Sequence, residues 1–596
     1  MCGFSGFIDN IPNKKNVLES MMDEIIHRGP DESGEYIDEN AALGFRRLSI
    51  IGVSNGLQPL YNEDGSLALV FNGEIYNYQE LREDLIKKGH IFKTETDSEV
   101  LIHLYEDCKT EMVKKLRGMF AFVIWDKNEK TLFAARDHFG IKPFYYTQVE
   151  KDGQKSLIFG SEIKSLLMHP NFKKEVNKHA LKPYLTFQYS VLDETFFKGV
   201  FKLKPGHFMV YKDGKIKIEQ YWDVEFNQEN IDLQESINRI KDAVSESVEV
   251  HSHSEVPLGS FLSGGVDSSY IAKCLMPQKT FSVGFEQENF DESDLAKDLS
   301  DILGIENVRK MITADECFDM LPTIQYHMDE PQSNPSSVPL YFLAQLAREH
   351  VTVVLSGEGA DEIFGGYEWY DDDEKLKKYK KLPSFIRKPV AKVAEKMPYF
   401  KGRTTLIRGG SSVEDYFIGQ AQIFEEREAV DILQSPYTKS PSIKEITRPV
   451  YNNVKNEDDV TKKQYLDLKL WLAGDILLKA DKMSMAHSIE LRVPFLDKEV
   501  MKVGESIPTK YKVNDENTKV ALRYAAKEVL PEEWAKRQKK GFPVPIRFWF
   551  KEQKYYDMVK EAFTSDYASE FFDTAKIVKL LDDHFNERCN NARKIY

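Results

Sequence analysis

Cys2 is the first residue of this sequence equipped to do chemistry. In the context Met1-Cys2-Gly3, removal of Met1 would leave a thiol and a free α-amine on one residue. An α-amine titrates near about 7.7 to 8.0, so close to neutral pH it can act as the base for its own side chain. A second group is Ser263-Gly264-Gly265-Val266-Asp267-Ser268-Ser269, which follows an apolar run ending at Leu262 and precedes the helical pattern Tyr270 to Met276. A glycine-rich turn between strand and helix offers backbone N–H groups and the positive helix end to phosphate oxygens, which makes it an anion cradle. It is not a Walker A loop, because no Gly-Lys-Ser or Gly-Lys-Thr follows the glycines. A third group, Ser356-Gly357-Glu358-Gly359-Ala360-Asp361-Glu362-Ile363-Phe364-Gly365-Gly366-Tyr367, follows the apolar run Val351 to Leu355 and carries carboxylates.

These groups need elements to hold them. From Gly3 to about Tyr221 short strand-like runs (Leu67 to Phe71, Phe120 to Trp125, Thr131 to Ala135, Ser156 to Gly160) alternate with helical patterns at Gln79 to Lys88 and Ser98 to Asp107. That mixture predicts sheets covered by helices. Phe208 to Trp222 reads as a terminal hairpin turning at Asp213-Gly214, and the polar stretch Asn227 to Asp232 reads as a linker. Beyond it, Val256 to Leu262, Thr280 to Phe285 and Val351 to Leu355 are apolar runs that each lead into a Gly- or Asp-rich turn, with helices between. This predicts an open parallel α/β sheet whose ligands sit beyond the carboxyl ends of the strands.

With 596 residues the chain exceeds what one hydrophobic core organises, so two large domains are expected. We place them at 2–222 and 233–596, joined by a linker at 223–232. The composition, 41% hydrophobic and 30% charged, is that of a globular protein, and no apolar run reaches the roughly 18 residues of a membrane span. The first residues lack the basic start and long apolar stretch of a signal peptide, which predicts a cytoplasmic location. Cys2, Cys108, Cys274, Cys317 and Cys589 are odd in number and scattered, which argues against a disulfide framework or a cysteine zinc site. A net charge of -15 disfavours nucleic acid and makes small molecules the expected partners.

The motifs Cys2-Gly3, His27-Arg28-Gly29-Pro30-Asp31, Arg47-Leu48-Ser49, Asn72-Gly73-Glu74-Ile75-Tyr76-Asn77 and Thr96-Asp97-Ser98-Glu99 together resemble the class II glutamine amidotransferases. The later motifs resemble the PP-loop ATP pyrophosphatases and, within them, the asparagine synthetases. That likeness runs on through Leu478 to His487, Glu490, Arg492 to Asp497 and Arg537-Gln538-Lys539-Lys540-Gly541-Phe542. The resemblance implies an α+β N-terminal-nucleophile sandwich of antiparallel sheets followed by an α/β PP-loop domain with added helices. It implies that Cys2 splits glutamine, with Asn72 and Gly73 stabilising the oxyanion, Arg47 gripping the carboxylate of glutamine, and Glu74 and Asp97 its ammonium. In the second domain it implies ATP binding by Leu262, Ser263, Gly264, Gly265, Asp267, Ser268, Val283, Ser356 and Gly357. Magnesium would be held by Asp267 and Asp361, Glu358 would act as base on ammonia, and Lys539 would neutralise charge on the adenylate and pyrophosphate.

The implied reaction transfers ammonia from glutamine to an acyl-adenylate made from ATP and aspartate, giving asparagine, AMP, pyrophosphate and glutamate. The sequence departs from one well-known branch between Glu330 and Tyr341. Gln332-Ser333-Asn334-Pro335-Ser336-Ser337 replaces a segment whose arginine could hold aspartate's α-carboxylate. The alternative acceptor is another carboxylate, such as diaminopimelate in cell-wall precursors. A β-lactam-forming relative would lack the cysteine, and a storage or regulatory relative would not keep both centres. Met485, His487, His251 and His253 are expected to pack rather than ligate, and the Lys-rich stretch from Asp371 to Arg403, broken by prolines, to be a solvated face. Self-association into a homo-oligomer is left open by the sequence.

Overall fold

The computed structural model describes residues 2–151, 153–287, 290–398, 400–537 and 543–596. Its first strands are β1 (Gly3–Ile8), β2 (Glu32–Ile37), β3 (Ala41–Arg47), β4 (Leu60–Tyr61), β5 (Leu67–Ile75) and β6 (Gly118–Asp126). They are followed by β7 (Thr131–Arg136), β8 (Tyr145–Lys151), β9 (Gln154–Gly160), β10 (Val200–Lys202), β11 (His207–Lys212) and β12 (Lys215–Gln220). These make two six-stranded sheets, in the orders β10-β8-β9-β1-β3-β2 and β12-β11-β7-β6-β5-β4. Neighbours run antiparallel, as in the pairing of β1 with β3 and of β5 with β6.

Strand period decides which side chains meet. Phe4, Phe45, Val70, Val123, Trp125 and Phe159 fill the layer between the sheets. The alternate residues Leu69, Phe71, Phe122, Ile124 and Phe133 face outward and pack under the helices α2 (Tyr78–Lys87) and α3 (Glu99–Cys108). On the other side, Phe7, Ala42 and Ile158 are covered by Leu18, Met21 and Met22 of the helix α1 (Lys14–Asp23), introduced first in the chain. The strands are therefore apolar on both faces, and the expected helix-covered sandwich is present with somewhat longer strands than the apolar runs predict. The β11–β12 hairpin turns at Asp213 and Gly214, with φ of 52° and 70°, the pair of left-handed residues such a two-residue turn demands.

The remaining strands are β13 (Leu258–Phe261), β14 (Lys279–Phe285), β15 (Glu306–Ile312), β16 (Val353–Leu355) and β17 (Glu490–Arg492), paired parallel in the order β15-β14-β13-β16-β17. The order reverses between β13 and β16, where an open α/β sheet leaves a crevice for ligands. β15 and β17 were not among the predicted runs. Three residues, Glu490-Leu491-Arg492, are too short to show a period, and two of them are charged. No helix among the described residues is long and apolar enough to cross a membrane. The basic stretch folds into helices that include Ser384–Lys396, and the expectation of a solvated polar face holds only in part, since that helix exposes Phe385 and Val393.

The two halves meet through buried charge. Arg28 has no exposed surface and donates to Glu162 Oε1 at 2.9 Å and to Asp481 Oδ2 at 2.8 Å, the latter from the helix Leu477–Met485. Removing one partner of a fully buried pair leaves an uncompensated charge, which costs about 3–5 kcal/mol. Arg28→Ala is expected to lose that much, read as a lower midpoint in urea unfolding followed by tryptophan fluorescence. A shift no larger than that of Lys15→Ala, a surface control, would contradict the assignment.

Candidate active sites

β1 begins at Gly3, so Cys2 sits at the open end of a central strand, beside the end of β5, where Asn72 lies. The backbone nitrogen of Cys2 donates to Asn72 Oδ1 at 3.1 Å, and its carbonyl accepts from Arg28 Nε at 3.2 Å. The other side-chain atom of Asn72, Nδ2, is buried with no partner among the described residues, which leaves an N–H donor beside the thiol. Gly73 follows at a position where a Cβ would lie 2.0 Å from Met119 O of β6, so only glycine lets the chain pass and keeps its N–H at the site. Burial pushes the Cys2 thiol above its ordinary value, with Glu490 adding to the effect, so the resting group is a thiol that needs a base.

Arg47, Glu74 and Asp97 are all buried close to this strand end. Arg47 is braced by the carbonyl oxygens of Gly52 at 2.7 Å and Val53 at 3.3 Å and by Glu32. Asp97 accepts from Ile75 N at 2.7 Å. Burial first, and then the neighbouring acid Glu490, raise the Asp97 carboxyl to about 7; burial, Glu490 and Asp97 push Glu74 well above the usual range. Two buried carboxyls that repel one another form a seat for a cation, because an ammonium relieves both costs at once.

Glu490 and Arg492 belong to this site although they come from β17, in the other half of the chain. Arg492 Nη2 lies 3.3 Å from Glu74 Oε1, and its Nε donates to Glu490 Oε1 at 2.6 Å. The sequence carried these residues only as part of a late motif. No spacing signal could link them to Glu74, more than four hundred positions away by number.

The second site is a cavity of about 770 Å³ at the switch between β13 and β16. Of the expected nucleotide residues, Leu262, Ser263, Gly265, Asp267, Ser268, Val283, Ser356 and Gly357 line it, together with Glu358 and Asp361. Gly264 is the exception. Its φ of 73° turns the chain from β13 into the helix Val266–Leu275, so its contribution is conformational. Within the turn, Ser268 Oγ accepts from Ser263 N at 3.2 Å and lies 3.0 Å from Ser263 Oγ. Glu358 Oε2 is buried without a hydrogen-bond partner among the described residues. Lys539 lies outside the described residues.

A residue that sequence reading missed stands at the centre. Lys519 Nζ bonds both oxygens of Asp267, at 2.7 and 2.6 Å, and lies 2.6 Å from Asp361 Oδ1. The two aspartates thus converge on one cation seat, here filled by an ammonium, and that donor set suits a divalent ion accompanied by phosphate oxygens. Arg593, also missed, lines the same cavity, as do Asn334 and Ser336, and donates to Gln188 Oε1. Asn334 and Gln332 are themselves tied to buried Asp475, at 2.5 and 2.8 Å, so the departing segment around Pro335 forms one wall of the cavity. Met485 and His251 are buried, and His251 donates its Nδ1 proton to Ser247 O at 2.7 Å while its carbonyl accepts from Arg492 Nη1 at 2.7 Å.

Residues 239–596 match the family model described as asparagine synthase. The chain belongs to the asparagine synthase family. Residues 1–222 match the model of a glutamine amidotransferase domain. Among curated proteins, the chain is 44% identical to asparagine synthetase [glutamine-hydrolyzing] 1 of Bacillus subtilis, over 100% of this chain and 95% of that one. It is 37% identical to a putative asparagine synthetase [glutamine-hydrolyzing] of Mycobacterium bovis, over 96% of this chain and 90% of the relative. Among solved structures it is similar to the glutamine phosphoribosylpyrophosphate amidotransferase of B. subtilis in complex with ADP and GMP, at 17% identity, 52% and 65% coverage and a TM-score of 0.28, a likeness too slight to carry weight. In this asparagine synthase family member, then, a cysteine site and an anion-cradling cavity lie in one chain.

The raised Asp97 carboxyl gives a signed prediction. Below about pH 7 it is protonated and offers no charge to an ammonium group; above, it is ionised. In a Cys2→Ala variant, which binds without turnover, affinity for glutamine is expected to weaken by up to about tenfold per unit as pH falls from about 7 towards 6. Titration calorimetry measures this, and affinity that stays level between about pH 8 and 6 would rule it out.

Proposed function

We propose that this chain is a glutamine-hydrolysing asparagine synthetase, with a glutaminase domain at 2–222, a linker at 223–232 and an ATP-dependent synthetase domain at 233–596. The observation that carries this reading is the pairing, in one chain, of Cys2 beside an unpartnered Asn72 amide with a cavity that gathers the glycine-rich turn, Asp267, Asp361 and Glu358.

In the first half-reaction, the α-amine of Cys2 takes the thiol proton and the sulfur attacks the amide carbon of glutamine. Asn72 Nδ2 and the Gly73 N–H stabilise the oxyanion, ammonia leaves, and water hydrolyses the thioester to glutamate. Arg47 holds the carboxylate of glutamine, and Glu74 with Asp97 its ammonium. In the second, the side-chain carboxylate of aspartate attacks the α-phosphorus of ATP and pyrophosphate departs. Ser263, Gly265, Ser268, Ser356 and Gly357 line the phosphates, with Leu262 and Val283 against the adenosine. Magnesium, held by Asp267 and Asp361, would neutralise phosphate charge; Lys519 would yield its place there, and Lys539 would add a further positive charge. Glu358 takes a proton from ammonia as it attacks the acyl carbon, and AMP leaves.

Ammonia passes between the sites inside the molecule, because outside it would protonate and the adenylate would hydrolyse. Arg593 supplies the cation that the segment around Pro335 lacks, placing a guanidinium where an α-carboxylate of aspartate would enter. The relatives named above are asparagine synthetases, so the reading with aspartate is preferred to one with a larger acceptor. The free cysteines suit a cytoplasmic enzyme.

Pyrophosphate release from ATP and glutamine is expected to be stimulated by aspartate and not by diaminopimelate-containing precursors; the reverse would sink the proposal. Cys2→Ala is expected to lose glutamine-driven synthesis while keeping the ammonia-driven reaction. Arg593→Ala is expected to raise the KM for aspartate by roughly tenfold to a hundredfold, the worth of one charge-assisted hydrogen bond, with glutaminase activity unchanged. An unaltered KM would take Arg593 out of the acceptor site.

A further inference from the structure

Away from both sites, on the outer side of the second sheet, Glu63, His90, His103 and Glu106 turn one ligand atom each toward a common centre, all within 4.8 Å of one another. Three separate segments supply them. Glu63 comes from the turn between β4 and β5, His90 from the connection after α2, and His103 and Glu106 from one face of α3. His103 Nδ1 lies 3.0 Å from Glu106 Oε2 and 3.6 Å from Glu63 Oε2; His90 Nδ1 lies 3.5 Å from Glu106 Oε2 and 3.6 Å from Glu63 Oε1. Donors bound tetrahedrally at 2.0–2.1 Å from zinc stand about 3.3 Å apart; the two ring nitrogens stand 3.0 and 3.5 Å from the same Glu106 oxygen, close to that spacing, and Glu63 offers one of its two oxygens to each ring.

The outer shell is built as well. His90 Nε2 meets Asp107 Oδ1 at 3.0 Å, a hydrogen-bond distance, whereas Glu99 Oε1 stands 3.7 Å from His103 Nε2, close enough for charge attraction only; both rings turn Nδ1 to the centre. At His90 this is the carboxylate–histidine arrangement that sets the tautomer of a metal-binding imidazole. The ligating carboxylates are oriented in turn: Asn62 Nδ2 donates to Glu106 Oε1 at 2.9 Å and Ile91 N to Glu63 Oε1 at 3.0 Å. A dication bound through both Nδ1 atoms would balance the charge of the two inner carboxylates.

We propose that Glu63, His90, His103 and Glu106 form a structural site for a zinc-class divalent transition ion, which staples the β4–β5 turn and the α2–α3 connection to α3. Its consequence reaches the glutamine site through Glu99. The carboxylate of Glu99 accepts from Lys93 N and Thr94 N, both at 2.7 Å, and Thr94 Oγ1 lies 2.8 Å from Thr96 Oγ1, next to Asp97. The ion would thus stiffen the segment that carries Asp97, as a positioning device with no part in the reaction.

The test uses the full chain with Cys2→Ala as background, which removes the thiol as a competing ligand, in buffer with excess magnesium to occupy Asp267 and Asp361. Zinc uptake is measured by competition with a chromophoric chelator, and cobalt(II) is added separately to read coordination geometry from its visible spectrum. One zinc equivalent, a tetrahedral cobalt spectrum and a higher unfolding temperature with zinc are expected, and all three are expected to be lost in His90→Gln and in Glu106→Gln. Circular dichroism checks that both variants are folded. If the background protein takes up no zinc, or if the variants take up as much as it does, the cluster is an ion-pair network only and the proposal fails.

Discussion

Arg28 carries the contact on which both reaction centres depend. Its guanidinium, without solvent, is shared among the carbonyl of Cys2 at 3.2 Å, Glu162 at 2.9 Å and Asp481 at 2.8 Å. A buried guanidinium has five donors in a fixed plane, so it dictates the angles at which its acceptors approach. The nucleophile, the end of β9 and the helix Leu477–Met485 are therefore held in one geometry by a single side chain. Around it, Glu162 also meets Lys164 at 2.5 Å, and Lys164 and Lys482 meet Asp329 at 2.8 and 2.6 Å, so the charges that face one another across the halves are compensated. Such a network adds little net stability over an apolar seam, but it tolerates few alternative dockings, because any slip leaves an ion unpaired.

β17 makes the second link. Its Arg492 side chain reaches Glu74 in the glutamine site, while its backbone carbonyl accepts from Ser356 N at 2.9 Å, at the mouth of the cavity. One strand of three residues thus borders both centres. Electrostatically the centres are opposites: the first concentrates buried acid near a cysteine, and the second sets Lys519 on its aspartate pair and has Lys479, Arg523 and Arg593 in the cavity wall. That division is what a chain needs if it must hold a zwitterion at one end and a polyanion at the other.

Much of the local structure was legible from residue order. The apolar runs around Leu69, Val123 and Phe281 mark strands because period-two burial and β-branched or aromatic content are local properties. The turn at Asp213-Gly214 and the cradle at Ser263 to Ser269 were likewise readable, since glycine at a left-handed position is a local demand. β17 was not, because three residues carry no period, and neither was the exposed apolar side of the helix Ser384–Lys396, whose many lysines suggested a wholly solvated face.

By itself the sequence pointed to Cys2, the glycine-rich turn and the carboxylates gathered at both sites, because such signals lie in residue types within short contiguous motifs. Only the tertiary structure decided which distant groups complete them. Lys519 between Asp267 and Asp361, Arg492 against Glu74, Arg593 on Gln188, and His90 and His103 facing Glu63 are contacts between segments far apart in order or on different elements. Such contacts are fixed by sheet order and helix packing, and a linear pattern holds no record of them. Cys2 could be singled out from its place in the sequence, but that its carbonyl rests on Arg28 and its amine on Asn72 Oδ1 is a fact of the fold alone.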